Sequence, residues 1–256
     1  MRIATWNVNS IKARLPTVLE VLDAINCDVV CLQEIKCETD AFPYLELEER
    51  GWNCAVLGQK SYNGVALLSK HEIEDVTKGL PTIEDEQARY IEALILSDTP
   101  IRVGGLYLPN GNPAPGPKYD YKMEWMDALE RHARELLKLD EAFVLCGDYN
   151  CIPTPADCWD ETVWQDDALA LPQTRAEFRK LKYLGLADSF ELTDNRAHQY
   201  TFWDYQGGAF KKDHGIRIDH LLCSPQACDR LQSVEIYRKA RELEKPSDHV
   251  PVIGVF

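Results

Sequence analysis

No stretch of this chain approaches the roughly 18 consecutive apolar residues of a membrane span. Its first residues, MRIATWNVNS, reach polar groups too early to supply the apolar core of a signal peptide. A cytoplasmic protein that crosses no membrane is the expectation. Any Cys-x-x-Cys pair is also absent, and nine cysteines is an odd number. Both observations disfavour a disulfide framework and a zinc cluster. Cys31, Cys146 and Cys223 fall inside apolar stretches and read as small buried hydrophobes. Basic residues are scarce: 28 Lys and Arg against 42 Asp and Glu leave a net charge of −14. That argues against wrapping nucleic acid in a broad positive field. It does not exclude a nucleic-acid enzyme, because metal sites consume carboxylates and a local basic rim can coexist with an acidic remainder. Low-complexity tracts, repeats and linkers are missing as well, so residues 1–256 are expected to form one domain.

What the chain does contain is a series of short apolar runs that read as strands: Ile3–Trp6, Val29–Leu32, Val65–Leu68, Ile91–Leu96, Ile101–Leu108, Phe143–Cys146, Ile218–Cys223 and Val250–Phe256. Helices are expected between some of them. Pro16 suits a first helical turn, followed by Val18, Leu19, Leu22 and Ile25 at helical spacing. A second helix is expected over Tyr121–Leu139. A third is expected from Thr174, with Glu177 completing a capping box and Gly185 ending it. Interleaved strands and helices predict an α/β fold, a four-layer sandwich of two packed mixed sheets flanked by helices.

Six strand-associated segments carry polar groups at an edge. IATWNVN presents Asn7, VVCLQE Glu34, VGGLYLPNG Tyr107 and Asn110, and FVLCGDYN Asp148 and Asn150; IRIDHLLC carries Asp219, and SDH precedes the last run. Pooled at one end of a sandwich, this set suits metal-assisted hydrolysis of a phosphate ester. Mg²⁺ prefers hard oxygen ligands, which makes Glu34 the natural anchor with Asn7 and Asp248 nearby. Asp148, with Asn150 two residues on, fits the group that deprotonates an attacking water. His249, oriented by a carboxylate such as Asp219, would stabilise negative charge in the transition state, and Tyr107 could donate to a phosphate oxygen.

The motifs TWNVNS (5–10), LQEIK (32–36), YNGVALLS (62–69), LYLPNG (106–111), GDYN (147–150), TFWDY (201–205), RIDHLL (217–222) and PSDH (246–249) resemble the exonuclease III family of DNA-repair nucleases, in order along the whole chain. That family belongs to the endonuclease/exonuclease/phosphatase superfamily with the DNase-I-like fold. The resemblance implies Mg²⁺-dependent phosphodiester hydrolysis, with Mn²⁺ a plausible substitute, acting on duplex DNA at abasic sites, nicks, gaps or 3′ ends. It implies a monomer active in base excision repair as a 3′–5′ exonuclease, a 3′-end-cleaning phosphodiesterase or phosphatase, and an abasic-site endonuclease. By motif position, Asn7, Glu34 and Asp248 look like metal ligands, joined by Asp148, Asn150 and His249 if a second metal binds. Tyr107, Asp148, Asn150, Asp219 and His249 look like the catalytic set. Phe202, Ile216 and Ile218 match the apolar pocket for a flipped abasic sugar, with Trp203 behind it. Tyr62, Asn63, Arg89, Asn110, Lys211, Lys212 and Arg217 match segments that face DNA. Lys118 and Lys122 are further candidates as exposed lysines.

Two departures matter. Some relatives carry tryptophan where this chain has Ile216. The stretch 151–174 has no Lys or Arg and five acids, Asp157, Asp160, Glu161, Asp166 and Asp167, which is expected to weaken phosphate attraction beside the site. One alternative is therefore a 3′-end-processing exonuclease with little abasic-site activity. Others are an inositol-phosphate or sphingomyelin phosphoesterase of the same superfamily and a binding module with a dead site. The complete set of ionisable site residues speaks against the last.

Overall fold

The structure is a computed structural model that describes every residue except Asn195. Among the described residues, strands run in chain order as β1 (Arg2–Asn7), β2 (Val29–Gln33), β3 (Asn53–Leu57), β4 (Val65–Ser69), β5 (Glu72–Lys78) and β6 (Tyr90–Leu96). They continue as β7 (Ile101–Tyr107), β8 (Phe143–Asp148), β9 (Ala187–Asp188), β10 (Asp219–Cys223), β11 (Ser233–Ile236) and β12 (Val252–Val255). They form two six-stranded sheets, ordered β11-β12-β1-β2-β4-β3 and β5-β6-β7-β8-β10-β9. Each sheet has one parallel pair at its centre, β1 with β2 and β7 with β8. A parallel pair needs a long crossover, and the helices Leu15–Ile25 and Pro117–Leu137 supply them.

Alternation along the strands explains the layering. Ile3, Val29, Cys31 and Leu67 point inward to meet Ile91, Val103, Val144 and Leu221 of the facing sheet. Ala4, Trp6, Val30 and Leu32 point the other way, onto the helix Leu15–Ile25. Trp125, Leu129 and Leu136 of the helix Pro117–Leu137 cover the outer face of the second sheet, with Phe178 and Leu181. Strands covered on both faces read as continuous apolar runs, which is why these eight were legible. The cysteines are free, and Cys31, Cys146 and Cys223 are fully buried, as expected. No helix among the described residues is long and apolar enough to cross a membrane.

Three differences have physical causes. The strands β3, β5, β9 and β11 were not anticipated: β3, β5, β9 and β11 are the sheet edges, and β5 is the polar run EIEDVTK with a bulge between Glu74 and Thr77. Val250 and Pro251 precede rather than open the last strand, since Pro251 lacks the ladder N–H. The third helix starts at Pro172, not Thr174. Thr174 is buried, its hydroxyl donating to the Ala168 carbonyl, and Glu177 pairs with Lys180 instead of closing a capping box.

Candidate active site

The carboxyl ends of the parallel strands β1, β2, β7 and β8 point the same way, so their last residues converge. Asn7 ends β1, Glu34 follows β2, Tyr107 ends β7 and Asp148 ends β8. Register brings Tyr107 beside Asp148, and antiparallel pairing sets Asp219 across from Asp148. Glu34 and Asn150 leave their strands with φ of +51° and +44°, a left-handed conformation that side chains rarely adopt outside functional turns. The final loop is locked to β1: the Ser247 hydroxyl donates to the Asn7 carbonyl at 2.7 Å and accepts from the His249 amide at 3.2 Å. That linkage delivers Asp248 and His249 to the same end.

At the centre, one oxygen of Asp148 accepts from the Asn7 side chain at 3.0 Å, and the other from the Asn150 amide at 2.9 Å. His249 Nδ1 lies 2.9 Å from Asp219, whose same oxygen accepts from the Thr201 hydroxyl at 2.6 Å. His249 Nε2 faces Asp148 at 3.7 Å, beyond direct hydrogen-bond distance. Burial pushes Asp148 up to about 7 against the pull of His249. Burial alone would lower His249, but the Asp219 and Asp148 carboxylates outweigh it and raise the imidazolium to about 10. Burial, then the charges of Glu34 and Asp148, push the Tyr107 phenol well above its ordinary value, so it remains a donor. Near neutral pH this arrangement holds a proton acceptor, Asp148, beside two proton donors.

The donor set fits a hard divalent cation. Asp148, Asp219 and His249 each place one ligand atom within 4.8 Å of the others. One Asp219 oxygen is buried without a partner among the described residues. A few ångströms away a cation is already held by oxygens: the Lys36 ammonium sits 2.8 Å from Glu34 and 2.6 Å from Asn9 Oδ1. Asn9 also donates to Asp248 at 3.1 Å. Asn7 sits among these groups. Its Nδ2 donates to Glu34 at 2.8 Å and to Asp148 at 3.0 Å, while its oxygen accepts from the Asn9 amide at 3.0 Å.

Beside this centre lies a cleft of about 180 Å³, lined by Phe202, Ile216, Ile218, Trp164, Asp167 and Leu169. A larger groove of about 840 Å³ at the sheet edge, around Trp52 and Val76, contains none of the expected site residues. The endonuclease/exonuclease/phosphatase family profile matches residues 4–249. The chain belongs to that family. Exodeoxyribonuclease III of Haemophilus influenzae is 32% identical, with 100% of both chains covered. Among solved structures, the 3′ phosphatase NExo from Neisseria bound to a product DNA hairpin is 40% identical with a TM-score of 0.95, covering 100% of this chain and 99% of that one. An AP endonuclease from Archaeoglobus fulgidus is 34% identical with a TM-score of 0.94, at the same coverage. The chain is thus a nuclease of the exodeoxyribonuclease III and AP endonuclease type, and its two sheets form the expected DNase-I-like sandwich.

The nuclease places the expected DNA-facing residues unevenly. Phe202, Ile216, Ile218 and Asn110 line the cleft. Tyr62 is 71% exposed, and Lys211 and Lys212 are exposed on the short helix Ala209–Lys212. Arg89 lies over the Tyr107 ring and donates to the Tyr107 carbonyl. Asn63 is buried, its amide spent on Gln59 and Gln87. Trp203 is packed against Phe210 with its N–H on Asp213, behind the cleft rather than in it. Arg217 requires correction: it is buried, clamped between Asp157 and Asp188 at 2.7 Å each, and is not free to meet phosphate. Lys122 requires it too, being fully buried, whereas Lys118 is exposed.

The 151–174 stretch is also less negative than its composition implies. Asp157 is neutralised by Arg217 and Glu161 by Arg175, while Asp160 caps a short helix. Asp167 is the acid that reaches the cleft, where Asn112 and the Leu169 amide hold it. Sequence reasoning named Asp167 only as one acid of the 151–174 stretch and missed Lys36, Asn112, Trp164 and Leu169. Of the missed residues, Lys36, two residues past Glu34 within LQEIK, carried a signal, as the nearest cation in sequence to the metal anchor.

Proposed function

We propose that the nuclease is a single-domain, Mg²⁺-dependent phosphoesterase that acts first on blocked 3′ ends of duplex DNA, removing 3′ phosphate and phosphoryl remnants. Incision at abasic sites, leaving 3′-OH and 5′-deoxyribose phosphate, is its second activity, and 3′–5′ exonuclease action its third. All three break the same P–O3′ bond and differ in what remains attached to phosphorus: nothing, an abasic sugar or a nucleoside. The observation that carries the ranking is the cleft beside the reacting centre. At about 180 Å³ it is smaller than the roughly 300 Å³ at which drug-sized pockets begin. It suits a bare phosphate or a sugar better than a whole nucleotide. Likeness to a 3′ phosphatase, to an AP endonuclease and to a 3′–5′ exonuclease supports all three activities without ranking them.

In the reaction, Asp148 accepts a proton from the water that attacks phosphorus, held in line by Asn7 and the Asn150 amide. His249 and Tyr107 donate to the non-bridging oxygens as charge builds on them. The apolar wall of Phe202, Ile216 and Ile218 excludes competing water. Glu34 and Asp248 would hold a divalent cation, whose chemistry when bound would be to neutralise charge on the phosphate and the leaving oxygen.

Three duplexes test this: one with a 3′ phosphate, one with an internal abasic analogue, one with a plain recessed 3′-OH. The expected order of kcat/KM with Mg²⁺ is 3′ phosphate, abasic site, plain end. A dominant single cut at the lesion would reverse the ranking, and no cleavage of any duplex would transfer the site to a non-DNA phosphate ester. Glu34→Ala is expected to raise the Mg²⁺ concentration for half-maximal rate by about tenfold or more, since even outer partners of a metal cost about 10- to 100-fold in affinity. An unchanged titration removes Glu34 as the anchor. Asp167→Ala is expected to favour abasic incision relative to 3′-phosphate removal by about tenfold, because it clears a carboxylate from the path of the flanking phosphate. An unchanged ratio removes Asp167 from specificity.

A further inference from the structure

Lys122 lies on the buried stripe of the helix Pro117–Leu137, which runs through Tyr119, Lys122, Met126, Leu129, Ala133 and Leu136. A buried ammonium is costly unless its protons are satisfied. Its only hydrogen-bond partners among the described residues are two main-chain carbonyl oxygens, of Asn110 at 3.0 Å and Asn150 at 2.5 Å. Those carbonyls belong to the two loops that leave β7 and β8. The same loops are joined on the cleft side by Asn110 Nδ2, which donates to Asn150 Oδ1 at 3.2 Å. Gly111 makes room for this contact: a Cβ there would stand 2.6 Å from Lys122 Cδ, and its φ is +90°.

We infer that Lys122 is a positioning residue of the nuclease, a buried cation that ties the Asn110 loop to the Asn150 loop and so fixes the amide that aims Asp148. It touches no substrate. It acts through Asn150, whose left-handed backbone has to be held for its N–H to reach Asp148 at 2.9 Å. The inference rests on Asp148 and Asn150 being reacting groups, which Asp148→Asn and Asn150→Ala test separately on the 3′-phosphate duplex.

Lys122→Met keeps the length and most of the volume while removing the charge. Its kcat is expected to fall about 10- to 100-fold, as a small misplacement of reacting groups does, with KM for DNA within about threefold. Added to Asp148→Asn, the same change is expected to cost nothing further, because the carboxylate that the Asn150 N–H aims is already gone. A kcat within about twofold of the parent, or losses that multiply in the double variant, would overturn the assignment. Gly111→Ala covers the case in which Lys122→Met does not fold: it crowds the Lys122 stem and is expected to lower kcat with KM held. An unaltered kcat in Gly111→Ala would also count against the role.

Discussion

Asp148→Asn is expected to lower turnover by about 10³-fold or more while raising the melting temperature at pH 8, two effects of opposite sign from one substitution. The kinetic loss follows because asparagine keeps the shape and the bonds from Asn7 and Asn150 but cannot take a proton from water. The stability gain follows from linkage. Burial raises this carboxyl from 3.8 to about 7, so the folded state opposes its ionisation more than the unfolded chain does. Stability is therefore lost as pH climbs from the unfolded value toward 7, and a neutral amide avoids that loss. Asp219, the leading influence that raises His249, still faces its Nδ1 at 2.9 Å in the variant. Single-turnover cleavage of the 3′-phosphate duplex and a thermal melt under the same buffer check both halves. Turnover within tenfold of the parent would mean that another group takes the proton. A lower melting temperature would mean that Asp148 stabilises the fold through His249 more than its own burial costs.

Much of this site was legible because the fold writes it in a simple form: an apolar run buried on both faces, then a polar residue where the strand ends. Asn7, Glu34, Tyr107 and Asp148 each occupy such a position, and their convergence needs only that β1, β2, β7 and β8 share a direction. Residues whose role depends on partners distant in sequence were not legible. Arg217 sits between two isoleucines in the order expected of a surface-facing position, yet Asp188, 29 residues away, captures it in the interior. The acids of 151–174 looked like a bare negative loop because Arg175 and Arg217, which answer two of them, lie outside it. Lys122 is a different failure. It falls on the buried stripe of its own helix, but it was read from its charge alone, as an exposed lysine. A charged residue in phase with an apolar stripe is better read as a buried cation in search of carbonyls.

Asp219→Asn is expected to move the whole pH–rate profile toward acid, both limbs together, by about one pH unit or more. In the parent, kcat is expected to rise as Asp148 loses its proton near 7 and to fall as His249 loses its own near 10. Asp219 acts on both limbs in the same direction. Burial is the main reason Asp148 is raised, and the negative charge of Asp219 adds to it. For His249, burial pulls the imidazolium down, and Asp219 is the leading influence that holds it up. Removing that charge lowers both groups, so the window slides rather than narrows. Its height drops as well, because the imidazole loses a partner that fixes its orientation at 2.9 Å. Profiles of kcat for parent and variant, taken at one saturating metal concentration, separate the possibilities. A shift of the alkaline limb alone would keep Asp219 as the partner of His249 but assign the acid limb to a group other than Asp148. A profile unmoved on both sides would mean that neither residue titrates in the rate-determining step, and the acid–base assignment of the Asp148–His249–Asp219 cluster would fall with it.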